Sequence, residues 1–320
     1  MNKQELVDNI KVFIDHNTEL ISEIFFILKS DAGDIIKRAD IEGSAQTSLK
    51  DEFIKNLNTR ILSNEELSFL PITNYDERKN VLFKYDLGEI PKGLNILNDI
   101  NNKEDFPLFS FNNDRLEDVT GIVILNHLNG NTLISYKRNF PINLYKRDSR
   151  GVPLIKWGNE TRFKEMSEDI IRIYPDFDFF QLNDELYIRN LNILEKYFNF
   201  HDIIKITAEK AVDKIEKANL IDENESIREM IQDLTYARKL AKIESSSPVL
   251  NNVSTETIIK FVDSFPTLKG KFEYNDDKTR IKLKTKNSKK LFLKLLNDDY
   301  LQSQLTELHY ESLAKETMFV

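Results

Sequence analysis

Apolar residues recur at helical spacing near the start of the chain, at Leu6, Ile10, Phe13 and Ile14, and predict a helix over residues 3–15. The pattern then shortens. β-Branched and aromatic residues fill residues 22–29, 67–72 and 81–85, which read as strands. Gly33 and Gly43 bracket a predicted loop, and Ser48 is placed to cap a helix carrying Leu49, Phe53, Ile54 and Leu57. Pro91 suits the first turn of a helix that ends at Ile100. Residues 120–127 and 132–137 flank Asn129-Gly130-Asn131, whose members tolerate positive φ, so a hairpin is expected there. A second hairpin is expected from residues 177–182 and 185–189 around Asn183-Asp184.

After residue 200 the period lengthens. Residues 203–220 carry Ile206, Ala211, Ile215 and Ala218, and residues 226–243 carry Ile227, Ile231, Leu234 and Leu240, which predicts a helical hairpin. Ser245-Ser246-Ser247-Pro248 reads as a linker or helix stop. A short helix over residues 255–265 ends at Pro266. Strands follow at 271–274 and 279–285 about Asn275-Asp276-Asp277, and then a helix at 289–296. Asp298 or Asp299 is placed to cap a last short helix that packs Tyr300, Leu301 and Leu305. The fold class expected is α+β: a mostly antiparallel sheet domain over residues 1–200, then a helical domain over residues 201–320 containing a small basic β-hairpin.

Composition narrows the function classes. Of 320 residues 40% are hydrophobic, with 21 Phe and 11 Tyr, which excludes wholesale disorder and allows a large core. The absence of cysteine excludes disulfides, zinc–thiolate sites and a cysteine nucleophile, and suits a reducing cytoplasm. The longest apolar runs, such as residues 24–28 and 122–125, fall far short of the roughly 20 residues a bilayer span needs. Lys3, Glu5 and Asp8 with no long apolar core behind them do not make a secretory signal. His16, His127, His201 and His309 are scattered, and no zinc-protease, P-loop, dinucleotide or nucleophile-elbow motif occurs. No cofactor is expected.

Net charge is −8, yet two islands are basic. From Tyr136 to Lys164 eight cations face two acids; among them are Lys137, Arg138, Lys146, Arg147 and Arg150. From Lys269 to Lys294 ten cations face three acids. The second island holds the sharpest pattern, Lys278, Arg280, Lys282, Lys284 and Lys286 alternating with Ile281 and Leu283. On a strand this makes a row of five cations roughly 6–7 Å apart over an apolar underside. Ser288 would then cap a helix whose first turn holds Lys289 and Lys290, where cations are unfavourable and anions are welcome. The arrangement suits the phosphate backbone of a duplex held without regard to sequence. It equally suits an edge strand guarded by lysines against aggregation. Two further readings stay open: a metal-dependent nuclease built on Asp176, Asp178, Asp184 and Glu185, and an interaction scaffold built on the helical hairpin.

Four stretches in order resemble one family. They are Thr120-Gly121-Ile122-Val123-Ile124 leading to Ser135-Tyr136-Lys137-Arg138; Phe177-Asp178-Phe179-Phe180 with Leu186-Tyr187-Ile188-Arg189-Asn190; Leu194-Glu195-Lys196-Tyr197-Phe198; and Leu295-Leu296-Asn297-Asp298-Asp299-Tyr300-Leu301 with Ser303, Leu305, Thr306, Tyr310 and Lys315. The likeness, from about residue 110 onward, is to the DNA-binding subunit of the Kiwa anti-phage defence system; Leu194 stands where that family usually has an aromatic residue. The resemblance implies a cytoplasmic, non-enzymatic binder of double-stranded phage DNA that restricts its replication or expression. It also implies self-association as a homodimer and a multi-span membrane partner that recruits it to the inner membrane face. It does not say which cations touch DNA.

Overall fold

The computed structural model describes residues 3–31, 33–74, 79–102, 105–145, 154–155, 162–166, 168–303 and 305–311. The architecture is α+β, with a large antiparallel sheet and a helix-rich C-terminal half that contains small hairpins. The chain divides into two compact units, one of Met1–Phe69, Lys79–Lys84 and Gly93–Leu194, the other of Leu70–Arg78, Tyr85–Lys92 and Glu195–Val320.

The helices of the first unit are α1 (Lys3–Asp15), α2 (Gly43–Leu57) and α3 (Asn95–Asn102). Its long strands are β1 (Ile21–Ser30), β2 (Gly33–Arg38), β5 (Val119–Leu128) and β6 (Asn131–Arg138), after the shorter β3 (Ser68–Pro71) and β4 (Val81–Lys84). Two-residue ladders follow: β7 (Leu144–Tyr145) pairs with β10 (Ile170–Ile171), and β8 (Leu154–Ile155) with β9 (Lys164–Glu165). Then come β11 (Phe179–Leu182) and β12 (Glu185–Ile188). Eight strands form one sheet in the order β2-β1-β5-β6-β11-β12-β4-β3. Both expected hairpins form. Asn129 and Gly130 carry φ of 48° and 84° between β5 and β6, and Asn183 carries 54° between β11 and β12.

Alternate residues of the strands point to opposite faces, and both faces are covered. Ile24, Phe26 and Leu28 join Ile122, Ile124, Leu133 and Phe180 under Leu6, Ile10 and Phe13 of α1 and Phe53, Ile54 and Leu57 of α2. On the opposite parity Phe25, Ile27, Val123, Leu125, Ile134 and Phe179 are also buried, with Phe25 edge-on to Phe106 at 5.4 Å. Burial on both sides explains the near-continuous apolar runs of β1 and β5. Each such side chain stabilises the fold by roughly 1.5–3 kcal/mol. The predicted loop between Gly33 and Gly43 instead contains β2. Gly33 at φ 120° turns the chain back, so that Ile36 and Ile35 pair with Ile27 and Leu28. Helix α2 begins at Gly43, which puts Ser48 inside it; the Ser48 hydroxyl donates to the Ser44 carbonyl rather than capping.

The linking helix α4 (Leu191–Tyr197) precedes α5 (Phe200–Lys217), α6 (Glu225–Arg228), α7 (Leu234–Ser246), α8 (Pro248–Asn252) and α9 (Thr255–Ser264). β13 (Glu273–Tyr274), β14 (Ile281–Lys282), α10 (Lys286–Leu296), β15 (Tyr300–Gln302) and β16 (His309–Glu311) complete the described residues. Helices α5 and α7 pack together through small residues, Ala208 and Ala211 on one and Ala237 and Ala241 on the other, all fully buried. The second helix expected over residues 226–243 is broken at Asp233, whose extended backbone lets its carboxylate accept the Thr235 N–H and start α7 anew. The last short helix expected after residue 297 is also absent. Asp298 at φ 57° ends α10, its N–H donating to Leu295 and that of Asp299 to Lys294, and the chain leaves as β15. Tyr300 packs on Phe265 at 5.3 Å, but Leu305 is 93% exposed. No helix among the described residues is long and apolar enough to cross a membrane.

Candidate nucleic-acid interface

The predicted strand over residues 279–285 shrinks to the two residues of β14. Asn275 accepts the N–H groups of both Thr279 and Arg280 through Oδ1, at 2.8 and 2.9 Å, and Lys278 turns at φ 54°. Lys278 therefore leaves the row. Ile281 and Leu283 still point inward and are buried, so Arg280, Lys282 and Lys284 share the outer side. The cap also moves. Thr285, not Ser288, is the N-cap of α10: its Oγ1 accepts the Ser288 N–H at 3.0 Å, while the Ser288 Oγ accepts the Thr285 N–H at 3.0 Å. Lys286 is thus the first residue of a helix rather than the last of a strand, and the five-cation row ends at Lys284.

Pairing thins the row further. The Ile281 N–H donates to Leu220, and the Asp222 N–H to Ile281, which sets Asp222 Oδ2 3.7 Å from the Lys282 ammonium. Lys284 Nζ lies 2.7 Å from Glu273 Oε2, a hydrogen bond that raises the lysine and lowers the glutamate from their ordinary pKa values. Lys289 faces Glu229 at 3.5 Å, and Lys294 pairs with Glu311. Among the described residues no carboxylate lies within 4 Å of Arg280, Lys286 or Lys290.

What remains is a stripe on α10. Lys286 and Lys290 stand at i and i+4 on one helix face, with Lys294, paired to Glu311, one turn further on. Helix α7 packs beside it and brings Lys239, half-buried, to the same stripe. Burial lowers the Lys239 ammonium, and the like charges of Lys290 and Lys294 lower it further. Asp299 and Glu311 oppose that shift without cancelling it. A phosphate placed among the lysines would relieve the like-charge repulsion on Lys239. Four-residue spacing could have marked Lys294 in the sequence. Lys239 carries no local signal, since only helix packing brings it there.

In the first island Lys137 ends β6 with Nζ 3.0 Å from Asp178 Oδ1, and the Arg138 guanidinium turns to Tyr136. Lys146, Arg147 and Arg150 lie outside the described residues. The four carboxylates of the nuclease reading are dispersed. Asp176 faces Arg189 at 3.1 Å and Arg60 at 3.7 Å, and Asp178 holds Lys137. Asp184 is exposed at the hairpin tip, and Glu185 accepts from Lys84 at 3.1 Å and the Tyr187 hydroxyl at 2.7 Å. Among the described residues no three His, Asp or Glu side chains are grouped to hold a metal ion.

Glu185 carries a pH signature. Burial alone would raise its carboxyl, but hydrogen-bond donors and positive charge, the Tyr187 hydroxyl and the Lys84 ammonium among them, outweigh this and the group is lowered from 4.5 to about 2. A depressed carboxyl stabilises the fold above its unfolded pKa, and that stability is lost as pH falls through the folded value. Acid unfolding curves between pH 4.5 and 2 should therefore flatten in Glu185→Gln; an unchanged acid limb would show that the trio contributes nothing.

Among known proteins, the family model described as "Kiwa protein KwaB-like" matches residues 116–306. Kiwa protein KwaB of Escherichia coli O55:H7 is 32% identical over 324 residues, covering 99% of each chain. No solved structure matches. The family match spans the second sheet hairpin, the α5–α7 pair and the whole of α10, and the full-length relative extends it across the N-terminal third. The chain therefore belongs to the KwaB-like family of the Kiwa anti-phage defence system.

Proposed function

We propose that this Kiwa component holds double-stranded DNA by its phosphates, without regard to sequence, and does no chemistry on it. The observation that carries the reading is the cationic stripe of Lys286, Lys290 and Lys239, with Arg280 on the hairpin that precedes α10, in a chain whose net charge is −8. An acidic remainder confines phosphate binding to that stripe. Lysine ammonium groups are point charges suited to backbone oxygens rather than to base edges. Occupation of phage DNA would obstruct its replication or expression. The family likeness supports the remaining parts of the proposal, a cytoplasmic homodimer recruited by a multi-span membrane partner.

The test is charge reversal at Arg280, Lys286 and Lys290 together. Affinity for two duplexes of unrelated sequence should fall by about tenfold to a hundredfold, equally for both. The slope of log affinity against log salt should drop by about 0.9 for each phosphate no longer neutralised. Unaltered affinity for both duplexes would remove the stripe as the interface. Plasmid incubated with Mg²⁺ or Mn²⁺ should stay supercoiled; nicking that disappears in Asp176→Asn would favour the metal-dependent nuclease instead. A stable dimer or partner complex with no DNA affinity at moderate salt would favour the scaffold.

A further inference from the structure

The segment between β6 and β11 presents an outer face that the duplex reading does not use. Residues 170–175 alternate strictly. Ile171 and Ile173 turn inward and pack on the core of the first unit, while Ile170, Arg172 and Tyr174 turn outward. β7 lies alongside. Tyr145 is the cross-strand partner of Ile170, and the Arg172 N–H donates to the Asn143 carbonyl at 2.8 Å, which continues the ladder past its two paired residues. Directly opposed residues share a face, so Tyr145 joins Ile170, Arg172 and Tyr174 on the outside.

Three features distinguish this face from an ordinary solvated one. Its aromatic and aliphatic members are open, Tyr145 at 47%, Tyr174 at 45% and Ile170 at 37% exposure, where a plain strand would carry polar residues. The Arg172 guanidinium lies 5.7 Å from the Tyr145 ring centroid and 5.9 Å from that of Tyr174, so cation and rings form one continuous surface. Its Nη1 donates to the Tyr174 hydroxyl at 3.1 Å, which tethers the guanidinium to that ring. Rigid aromatic rings interleaved with an arginine on a small β-ladder are what unpaired bases stack on, because every base offers a π-face and its phosphate a negative charge.

We propose that Tyr145, Arg172 and Tyr174 form a stacking platform for single-stranded nucleic acid, distinct from the duplex-binding stripe. The site takes two or three unpaired bases, and the protein thereby engages junctions and gaps where a duplex has opened. The reading rests on the duplex proposal only for the presence of such DNA. The two fail separately, because their residues do not overlap.

The experiment compares the full chain with Tyr145→Ala/Tyr174→Ala and with Tyr145→Phe/Tyr174→Phe. Binding is followed by fluorescence anisotropy of a labelled oligothymidylate of about a dozen nucleotides, within the usual span of roughly 4–16, and of a blunt duplex. The alanine pair should weaken single-strand binding by roughly 10- to 100-fold, the loss of stacking on one or two bases. The phenylalanine pair should retain it, and duplex affinity should stay within about twofold in all three proteins. An alanine pair that binds the oligonucleotide as tightly as the parent would overturn the platform. So would equal losses on duplex and single strand. Vesicles of anionic phospholipid that bind the parent but not the alanine pair would assign the face to a lipid surface and overturn it as well.

Discussion

Replacing Asp178 with alanine should cost the protein about 3–5 kcal/mol, the range for breaking one partner out of a buried charge pair. The side chain is 1% exposed, and both its oxygens accept hydrogen bonds. Oδ1 accepts from the Lys137 ammonium at 3.0 Å and the Asn190 amide at 3.1 Å, and Oδ2 accepts from the Arg138 N–H at 2.7 Å. The Asp178 backbone closes the same knot, its N–H donating to Tyr136 and its carbonyl accepting from Arg189 and Asn190. One residue therefore joins the end of β6 to the turn after β12, across β11. Alanine leaves an ammonium with three-quarters of its surface withdrawn from water and an amide N–H without an acceptor. Guanidinium unfolding should show a lower midpoint at unchanged slope. Asp178→Asn, which keeps an acceptor for Arg138, should lose less. A cost below about 1 kcal/mol in the alanine variant would mean that Lys137 and Arg138 find other acceptors. The same result bears on the nuclease alternative: a buried carboxylate with both oxygens engaged by protein donors is poorly placed to give them to a metal.

Gly121→Ala should destabilise by about 1–3 kcal/mol, through overpacking rather than backbone strain. A Cβ at Gly121 would meet Tyr136 Cε2 at 2.6 Å and its Oη at 2.7 Å. The ring has little freedom to yield, since it lies buried and stacked on Phe179 with centroids 4.6 Å apart and planes within 5°. Tyr136 sits opposite Val123 in the β5–β6 register, so its ring crosses diagonally over Gly121. A double-mutant cycle separates this from a general cost of losing glycine. In a Tyr136→Ala background Gly121→Ala should add little, giving a coupling of at least about 1 kcal/mol. Additive losses would show that the close approach is not the cause.

The two sheet hairpins were legible in the chain because their turns are local chemistry: Asn129-Gly130 and Asn183 adopt positive φ wherever the neighbouring strands go. Strand β2 was hidden because Gly33 reads as a loop residue while Ile35 and Ile36 gain their role only beside β1. The helix break at Asp233 and the departure after Asp298 were hidden for a related reason. Each depends on one residue's φ and ψ, which apolar periodicity does not register. The stacking face lay in plain sight as Ile170-Ile171-Arg172-Ile173-Tyr174, but without Tyr145 opposite it such alternation reads only as an ordinary strand.

By itself the amino-acid order determined the fold class, most element types and the concentration of cations near the carboxyl end, since all three follow from side-chain size, periodicity and formal charge. Tertiary structure alone decided which cations keep a free charge. Lys284 meets Glu273 eleven residues away, Lys289 meets Glu229 sixty residues away, and Lys282 is paired because Asp222 hydrogen-bonds to Ile281. Lys239 joins the stripe only through the packing of α7 on α10. Electrostatic neutralisation depends on separations of a few ångströms, and those are set by the folded backbone rather than by position along the chain.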